Sequence, residues 1–269
     1  MQLAFIGGGN MSEAILNGVL SGKLFSARDI TVTDILADRL QYLQKKYRVQ
    51  TNLNNLQVLK NADVVLLAVK PQVVASVLAE IKAVNNTAQL LISIVAGLPL
   101  GRLDCGGQFR AARVMPNTPA LIGRAVSAVC FNDRALEQDK KFTIELLQSI
   151  GTAVEVEEKD MNAVTGLSGS GPAFVFRLLD YFMQAGEQLG LSAAQARTLV
   201  CQTFAGSAEL AAQSSKTLEE LITQVTSPNG TTQAGRQVLE QSAVRQVITD
   251  TILRAKERAD ELAKGEAKK

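Results

Sequence analysis

The chain has 269 residues, enough for one large domain or two ordinary ones, and its 46% hydrophobic and 20% charged composition excludes a disordered chain. Lys+Arg 28 against Asp+Glu 26 leaves a net charge of +2, far from the basic excess of a nucleic-acid or anionic-membrane binder, and no apolar run approaches the ~18 residues of a bilayer span. The absence of histidine excludes imidazole acid–base catalysis, Ser-His-Asp triads and His-ligated metals.

Met1 leads straight into Leu3-Ala4-Phe5-Ile6, a short apolar run that predicts a strand; this start predicts a cytoplasmic protein. Gly7-Gly8-Gly9-Asn10-Met11-Ser12 follows, then a helical stretch over 13–19. Gly7 permits a tight turn, Gly9 lets backbone approach a pyrophosphate, and Ser12 stands where a third glycine would allow close helix packing. Amides at that helix start suit the phosphates of a dinucleotide, although such turns also join strands to helices for steric reasons alone.

The second strand, Ile30-Thr31-Val32-Thr33, ends at Asp34, 27 positions after Gly7. A carboxylate there suits the 2′-hydroxyl of NAD(H) and repels a 2′-phosphate. Otherwise Asp34 is a turn or cap residue before a helix over 35–45, and Arg39 is near enough in sequence to meet a phosphate. Both dinucleotides stay open.

Residues 64–69 and 90–95 predict two further strands; 111–115, 125–131 and 153–156 predict three weaker ones, with a helix over 134–149. Continuous apolar strands covered on both faces belong to a mostly parallel, doubly wound α/β sheet, which binds ligands at the carboxyl ends of its strands. Ala68-Val69-Lys70-Pro71 ends the third strand at that edge, and Asn117 lies between Pro116 and Pro119 in a rigid turn at another. Lys70 reads otherwise as a surface lysine and Asn117 as a plain turn residue. Cys105, Cys130 and Cys201 match no metal or redox spacing and read as buried thiols in a reducing compartment, and no metal site is expected.

After residue 158 the strand-like runs vanish, which divides the chain into a dinucleotide-binding domain over 1–158 and an all-helical domain over 159–269. Ser168 to Pro172 reads as a turn of small residues with Pro172 opening a helix, presenting free amides or serving as a tight helix joint. Ser192 with Gln195 and Thr217 with Glu220 resemble capping boxes, and Gly190 can close a helix. Helices over 174–189 and 198–210 are apolar around much of their circumference, which predicts pairing with a second subunit. Pro228-Asn229-Gly230 forms a turn from which Thr231-Thr232 opens a helix, leaving hydroxyls and amides to bind a carboxylate, unless Thr231 or Ser227 merely caps it. Residues 256–269, charged and Ala-rich, read as a solvated, fraying helix end.

Four sets of motifs resemble pyrroline-5-carboxylate reductase: Gly7 to Met11; Ala68 to Pro71; Met115-Pro116-Asn117-Thr118-Pro119; and the helical pair Thr165 to Pro172 with Thr226 to Thr232. The resemblance implies a Rossmann-type domain followed by a helical dimerisation domain. The activity implied is NAD(P)H-dependent reduction of the cyclic imine 1-pyrroline-5-carboxylate to L-proline. NADP(H) is the family's cofactor, and NAD(H) is the alternative that Asp34 favours. The cofactor-binding residues so implied are Gly7, Gly8, Gly9, Asn10, Met11 and Asp34, then Asn55, Ala68, Val69, Lys70, Pro71, Asn117 and Thr118. Asn55 falls where the family contacts the adenosine ribose or its 2′-phosphate, and is otherwise a loop residue. Ser170, Ser227, Gly230, Thr231 and Thr232 are implied substrate-binding residues, with Thr232 the catalytic residue at the ring nitrogen. Asn229 replaces a frequent glycine of the family, a change that a left-handed turn tolerates. The partners implied are the small substrate and a second copy of the chain, in a homodimer or a larger ring of dimers, with no nucleic acid or membrane.

The chemistry suits a chain without histidine, because an imine enters protonated and then accepts hydride without a strong acid. Placement is what the protein must supply. A 3-hydroxyacid dehydrogenase-like enzyme would carry a catalytic lysine on its long central helix, and 174–189 contains none. A dinucleotide sensor would have no use for a carboxylate-binding turn.

Overall fold

Every side chain of Leu3–Ile6 (β1) is buried, and the strand feeds through the glycine turn into Asn10–Ser21 (α1). Ile30–Thr33 (β2) and Ala37–Tyr47 (α2) follow, then Gln50–Asn52 (β3), Asn55–Leu59 (α3), Val64–Leu67 (β4) and Val74–Val84 (α4). Leu90–Ser93 (β5), Leu100–Leu103 (α5), Arg110–Met115 (β6), Ala125–Phe131 (β7), Glu137–Gln148 (α6) and Gly151–Glu155 (β8) complete one eight-stranded sheet, ordered β3-β2-β1-β4-β5-β6-β7-β8. The computed structural model describes residues 1–264.

All neighbouring strands run parallel except β6 and β7. The exception has a local cause: the link between them is a single 3-10 turn, Thr118–Ile122, closed by left-handed Gly123, too short to cross over the sheet. Successive side chains of β1 and β4 enter opposite cores. Leu3, Phe5, Val64 and Leu66 pack with Ile15, Val19 and Leu147, whereas Ala4, Ile6, Val65 and Leu67 pack with Val77, Ile81 and Leu103. Burial on both faces is why these strands are apolar without alternation. The expected fold class is therefore observed.

Three local expectations are corrected. Gln50–Asn52 forms an edge strand beside β2, though its polar side chains carry no apolar signal, and Asn55 opens α3 instead of sitting in a loop. Ser168 to Pro172 is no open turn but a tight joint: Met161–Val164 (α7) runs into a π-helical stretch, Thr165–Gly169, closed by Ser170 N donating to Thr165 O at 2.8 Å, and the next helix opens at Gly171 with Pro172 in its first turn. Small residues permit this wider coil, and Gly169 leaves room for the end of the Met115 side chain, whose Cε would lie 2.5 Å from a Cβ there and would have to move aside.

Gly171–Leu253 forms a second compact unit, and the first comprises Met1–Ser170 with residues 254–264 of the described chain. The second unit holds Gly171–Gln188 (α8), Ala193–Gln213 (α9), Leu218–Gln224 (α10), Thr231–Gln241 (α11) and the first half of Val244–Ala263 (α12). Both anticipated capping boxes form, at Ser192 with Gln195 and at Thr217 with Glu220, and Gly190 is left-handed after α8. Gly186 faces Ala196 closely, and Phe182 meets Phe204 edge-on at 5.0 Å. Even so, Phe176, Leu199, Leu210 and Val238 are more than half exposed in the single chain.

The third correction concerns the chain's end. Ala259 is buried, the Asn162 amide donates to Asp260 Oδ1 at 2.8 Å, and Leu262 lies against Gly97, so 256–264 is a docked helix end rather than a fraying one. Residues 265–269 of that expectation lie outside the described residues. Among the described residues no helix is long and apolar enough to cross a membrane.

Candidate active site

The sheet order reverses direction at β1 and β4, which opens a crevice at the carboxyl ends of the strands. Gly7 to Met11 follow β1, Asp34 follows β2, Asn55 comes just after β3, Ala68 to Pro71 follow β4, and Asn117 and Thr118 follow β6. The anticipated cofactor residues thus leave one edge of the sheet from five strands.

Gly7 has φ +101°, and a Cβ on it would lie 2.6 Å from the Ala68 carbonyl oxygen, so only glycine fits between β1 and the residues after β4. Its N–H donates to Thr33 O at 2.9 Å, and its carbonyl accepts from the Ser12 hydroxyl at 2.5 Å. Gly9 precedes α1 without any side-chain cap, and a Cβ there would meet open space. The first amide of α1 with a backbone partner is that of Glu13, which donates to Gly9 O at 2.9 Å. Open space above uncapped amides at a helix start fits a pyrophosphate. Asn10 is exposed as the first residue of α1, and Met11 packs against the core.

Gly8 is clamped from both sides. Its N–H donates to Asp34 Oδ2 at 2.7 Å, and its carbonyl accepts from Arg39 Nε at 2.5 Å. The other Asp34 oxygen accepts from Leu36 N at 3.0 Å. The Arg39 Nη2 reaches Glu13 Oε2 at 2.6 Å, and Glu13 Oε1 also accepts from Lys46 at 2.8 Å, Tyr47 at 2.9 Å and Tyr42 at 3.0 Å. Burial alone would raise the Glu13 pKa, but the Lys46 and Arg39 cations and the two phenols outweigh it and lower it to about 2. The same knot raises Lys46, and burial raises Tyr47.

Asn55 donates to Glu80 Oε2 at 2.8 Å, which ties α3 to α4. Lys70 is exposed and leads into a 3-10 turn, Pro71–Val73. Asn117 is committed to the scaffold on both ends of its amide: Oδ1 accepts from Val126 N at 3.1 Å and Nδ2 donates to Ser168 O at 3.3 Å. Thr118 is exposed and begins the Thr118–Ile122 turn.

Sequence reasoning missed the grip of which Asn117 is the last member. Arg113, Met115 and Asn117 alternate along the end of β6 and its exit. Buried Arg113 donates to Asn162 Oδ1 at 2.9 Å and lies 3.4 Å from Glu158, Met115 packs on Gly169, and Asn117 holds Ser168. A lone charge in the run Ala111-Ala112-Arg113-Val114-Met115 was the available signal. Cys130, on β7, is pushed up to about 12 by burial, which keeps its thiol protonated and inert.

In the second unit, Gly230 N donates to Ser227 O at 3.0 Å, Asn229 sits at φ +54°, and Gln233 Oε1 accepts from Asn229 N at 2.6 Å. Gly230 precedes α11 with no side-chain cap, so neither Ser227 nor Thr231 performs that task. Ser227, Thr231 and Thr232 are exposed, and the first backbone bond of α11 is made by Ala234. The turn therefore presents hydroxyls and uncapped amides together, whereas Ser170 ends the π-helical stretch of the first unit.

Residues 158–262 match the family model described as pyrroline-5-carboxylate reductase dimerisation, and residues 2–97 match one described as NADP oxidoreductase, coenzyme F420-dependent. The chain is 40% identical to the pyrroline-5-carboxylate reductase of Synechocystis sp. over 266 residues, 98% of this chain and 99% of that one. A solved pyrroline-5-carboxylate reductase from Coxiella burnetii superposes with a TM-score of 0.92 at 33% identity, covering 97% and 98% of the two chains. The Plasmodium falciparum pyrroline carboxylate reductase, solved with NADP bound, has a TM-score of 0.88 at 30% identity, with 98% of each chain covered. A glycine cradle at the switch point, a second polar turn on a helical unit with exposed apolar faces, and likeness over nearly the full length agree: the chain belongs to the pyrroline-5-carboxylate reductase family.

Proposed function

We infer that this chain reduces 1-pyrroline-5-carboxylate to L-proline with NAD(P)H, the last step of proline biosynthesis. Full-length likeness to enzymes of that name carries the reading, and the uncapped cradle after β1 supports it. When bound, the nicotinamide cofactor supplies the hydride. Gly7, Gly8, Gly9, Asn10 and Met11 would hold its pyrophosphate, Asp34 and Asn55 its adenosine ribose, and Ala68 to Pro71, with Asn117 and Thr118, its nicotinamide half. Asn117 would act there by fixing the wall, since both ends of its amide are already engaged.

The substrate brings its own proton on the imine nitrogen, so the protein's work is orientation. The uncapped amides at Thr231 and Thr232, with the Ser227 hydroxyl, suit a carboxylate, which leaves the Thr232 hydroxyl for the ring nitrogen. Gly230 shapes that turn, and Ser170 is read as a further substrate-binding residue. In this reading 1–158 binds the dinucleotide and 159–269 binds substrate and pairs subunits. The exposed apolar side chains of α8, α9 and α11 support a homodimer, standing alone or built into a larger ring of dimers. Three free cysteines support a reducing, cytoplasmic setting.

The deciding experiment measures initial rates of NADH and NADPH oxidation with 1-pyrroline-5-carboxylate. Stoichiometric formation of proline is expected; binding of either nucleotide without turnover of the imine would leave a dinucleotide sensor instead.

A further inference from the structure

Asp34 and Arg39 hold opposite polar groups of one residue, Gly8, and this fixes which charge faces the end of β2. The contact of 2.7 Å places the Asp34 carboxylate directly against the glycine turn, although Asp34 lies 26 positions beyond Gly8 in sequence. Ile35 and Leu36 follow it, 92% and 61% exposed, and supply apolar surface with no cation. Arg39, the nearest cation in sequence, is withheld: it pairs with Glu13 at 2.6 Å, bonds the Gly8 carbonyl and lies 5.1 Å from the centre of the Tyr42 ring. Lys46 pairs with the same Glu13 carboxylate. A 2′-phosphate arriving here meets a carboxylate and two aliphatic side chains, and gains a guanidinium only by pulling Arg39 out of a half-buried knot. A 2′-hydroxyl, in contrast, meets an anionic acceptor with lone pairs to spare.

We propose that Asp34 makes this chain bind NADH in preference to NADPH, with Glu13 a positioning residue that keeps Arg39 away from a 2′-phosphate. The proposal rests on the dinucleotide-dependent reductase reading above, and narrows it to one coenzyme. Asp34 selects by charge, while the clamp on Gly8 keeps its carboxylate from swinging aside.

The test is equilibrium binding to the intact protein without imine, by titration calorimetry with NADH, NADPH, ADP-ribose and 2′-phospho-ADP-ribose. The wild type is expected to bind each ligand with a free 2′-hydroxyl about tenfold or more tighter than its phosphorylated counterpart, since a like charge placed opposite an anion costs more than a kilocalorie per mole. Asp34→Asn, which keeps an acceptor for Gly8 N, is expected to narrow that ratio about tenfold, chiefly by strengthening the phosphorylated ligands. Should Asp34→Asn fail to fold, Glu13→Gln provides the second arm, because releasing Arg39 strengthens NADPH more than NADH. Equal or tighter binding of NADPH by the wild type, or ratios unmoved in both variants, overturns the proposal while leaving the reductase reading intact. Binding of neither nucleotide overturns both. A strong preference for NADH without reduction of the imine supports the selectivity and removes the assigned reaction.

Discussion

The side-chain amide of Asn162 donates to Oδ1 of Asp260 at 2.8 Å, joining residues 98 positions apart. Arg113 holds the other end of the same Asn162 amide, so one side chain bridges a buried strand cation and the end of α12. The Asp260 carboxylate is also drawn below its usual range, by Lys256 first and by Asn162. Asp260→Ala and Asn162→Ala are each expected to lower stability by about 1–2 kcal/mol, with a coupling of about 1 kcal/mol in a double-mutant cycle followed by urea unfolding. Strict additivity would mean that the helix end contributes nothing through this contact.

Glu13 should give stability a distinctive acid profile. Its folded pKa is depressed to about 2, so its contribution is fully present above the ordinary carboxylate value of 4.5 and is lost as pH falls from there towards 2. Glu13→Gln leaves Arg39 and Lys46 without their carboxylate and should cost about 2 kcal/mol at neutral pH. Melting curves for the two proteins should converge between pH 4.5 and pH 2. A gap that stays constant across that range would show that the charge on Glu13 is not what stabilises the knot.

Gly7→Ala combines a backbone conformation unfavourable to alanine with a Cβ 2.6 Å from the Ala68 carbonyl oxygen. The strands must part to admit the methyl, at a cost of at least about 2 kcal/mol. Lower thermal stability and weaker binding of both nucleotides are expected. Gly9→Ala is the informative contrast, because open space surrounds that position: stability should hold while nucleotide affinity falls. Equal stability losses in the two variants would contradict the assignment of Gly7 to packing and Gly9 to the ligand.

Thr232→Ala should reduce kcat/KM for the imine about tenfold, the worth of one hydrogen bond in the transition state. Thr232→Ser should restore most of it, since only the hydroxyl is needed. Because Thr232 is exposed and caps nothing, thermal stability should not move in either variant. Unchanged steady-state kinetics for the alanine variant would remove Thr232 from the site.

The sheet was legible wherever burial on both faces demanded continuous apolar runs, as at 3–6 and 64–67, and the glycine cradle was legible because its steric demands leave few residue choices. Gln50–Asn52 was not, since a three-residue polar edge strand is formed by its neighbour β2 and not by its own pattern. The π-helical stretch escaped for a related reason: small residues permit a bond from Ser170 N to Thr165 O without announcing it. Asp34 was read correctly as a residue of the β2 end, yet its hold on Gly8 N depends on two strands lying side by side, which no spacing rule contains. Charges misled most at the end of the chain, where Lys256 and Asp260 resembled a solvated face although Ala259 between them is buried.

The division of the chain also orders events during synthesis. Asn162 and the Gly97 turn leave the ribosome long before Asp260 and Leu262, their eventual partners, and the whole of Gly171–Leu253 must emerge in between. The sheet-bearing unit therefore waits, with these contacts unmade, until translation has passed residue 262, and a nascent chain stalled before α12 is complete would expose them to chaperones.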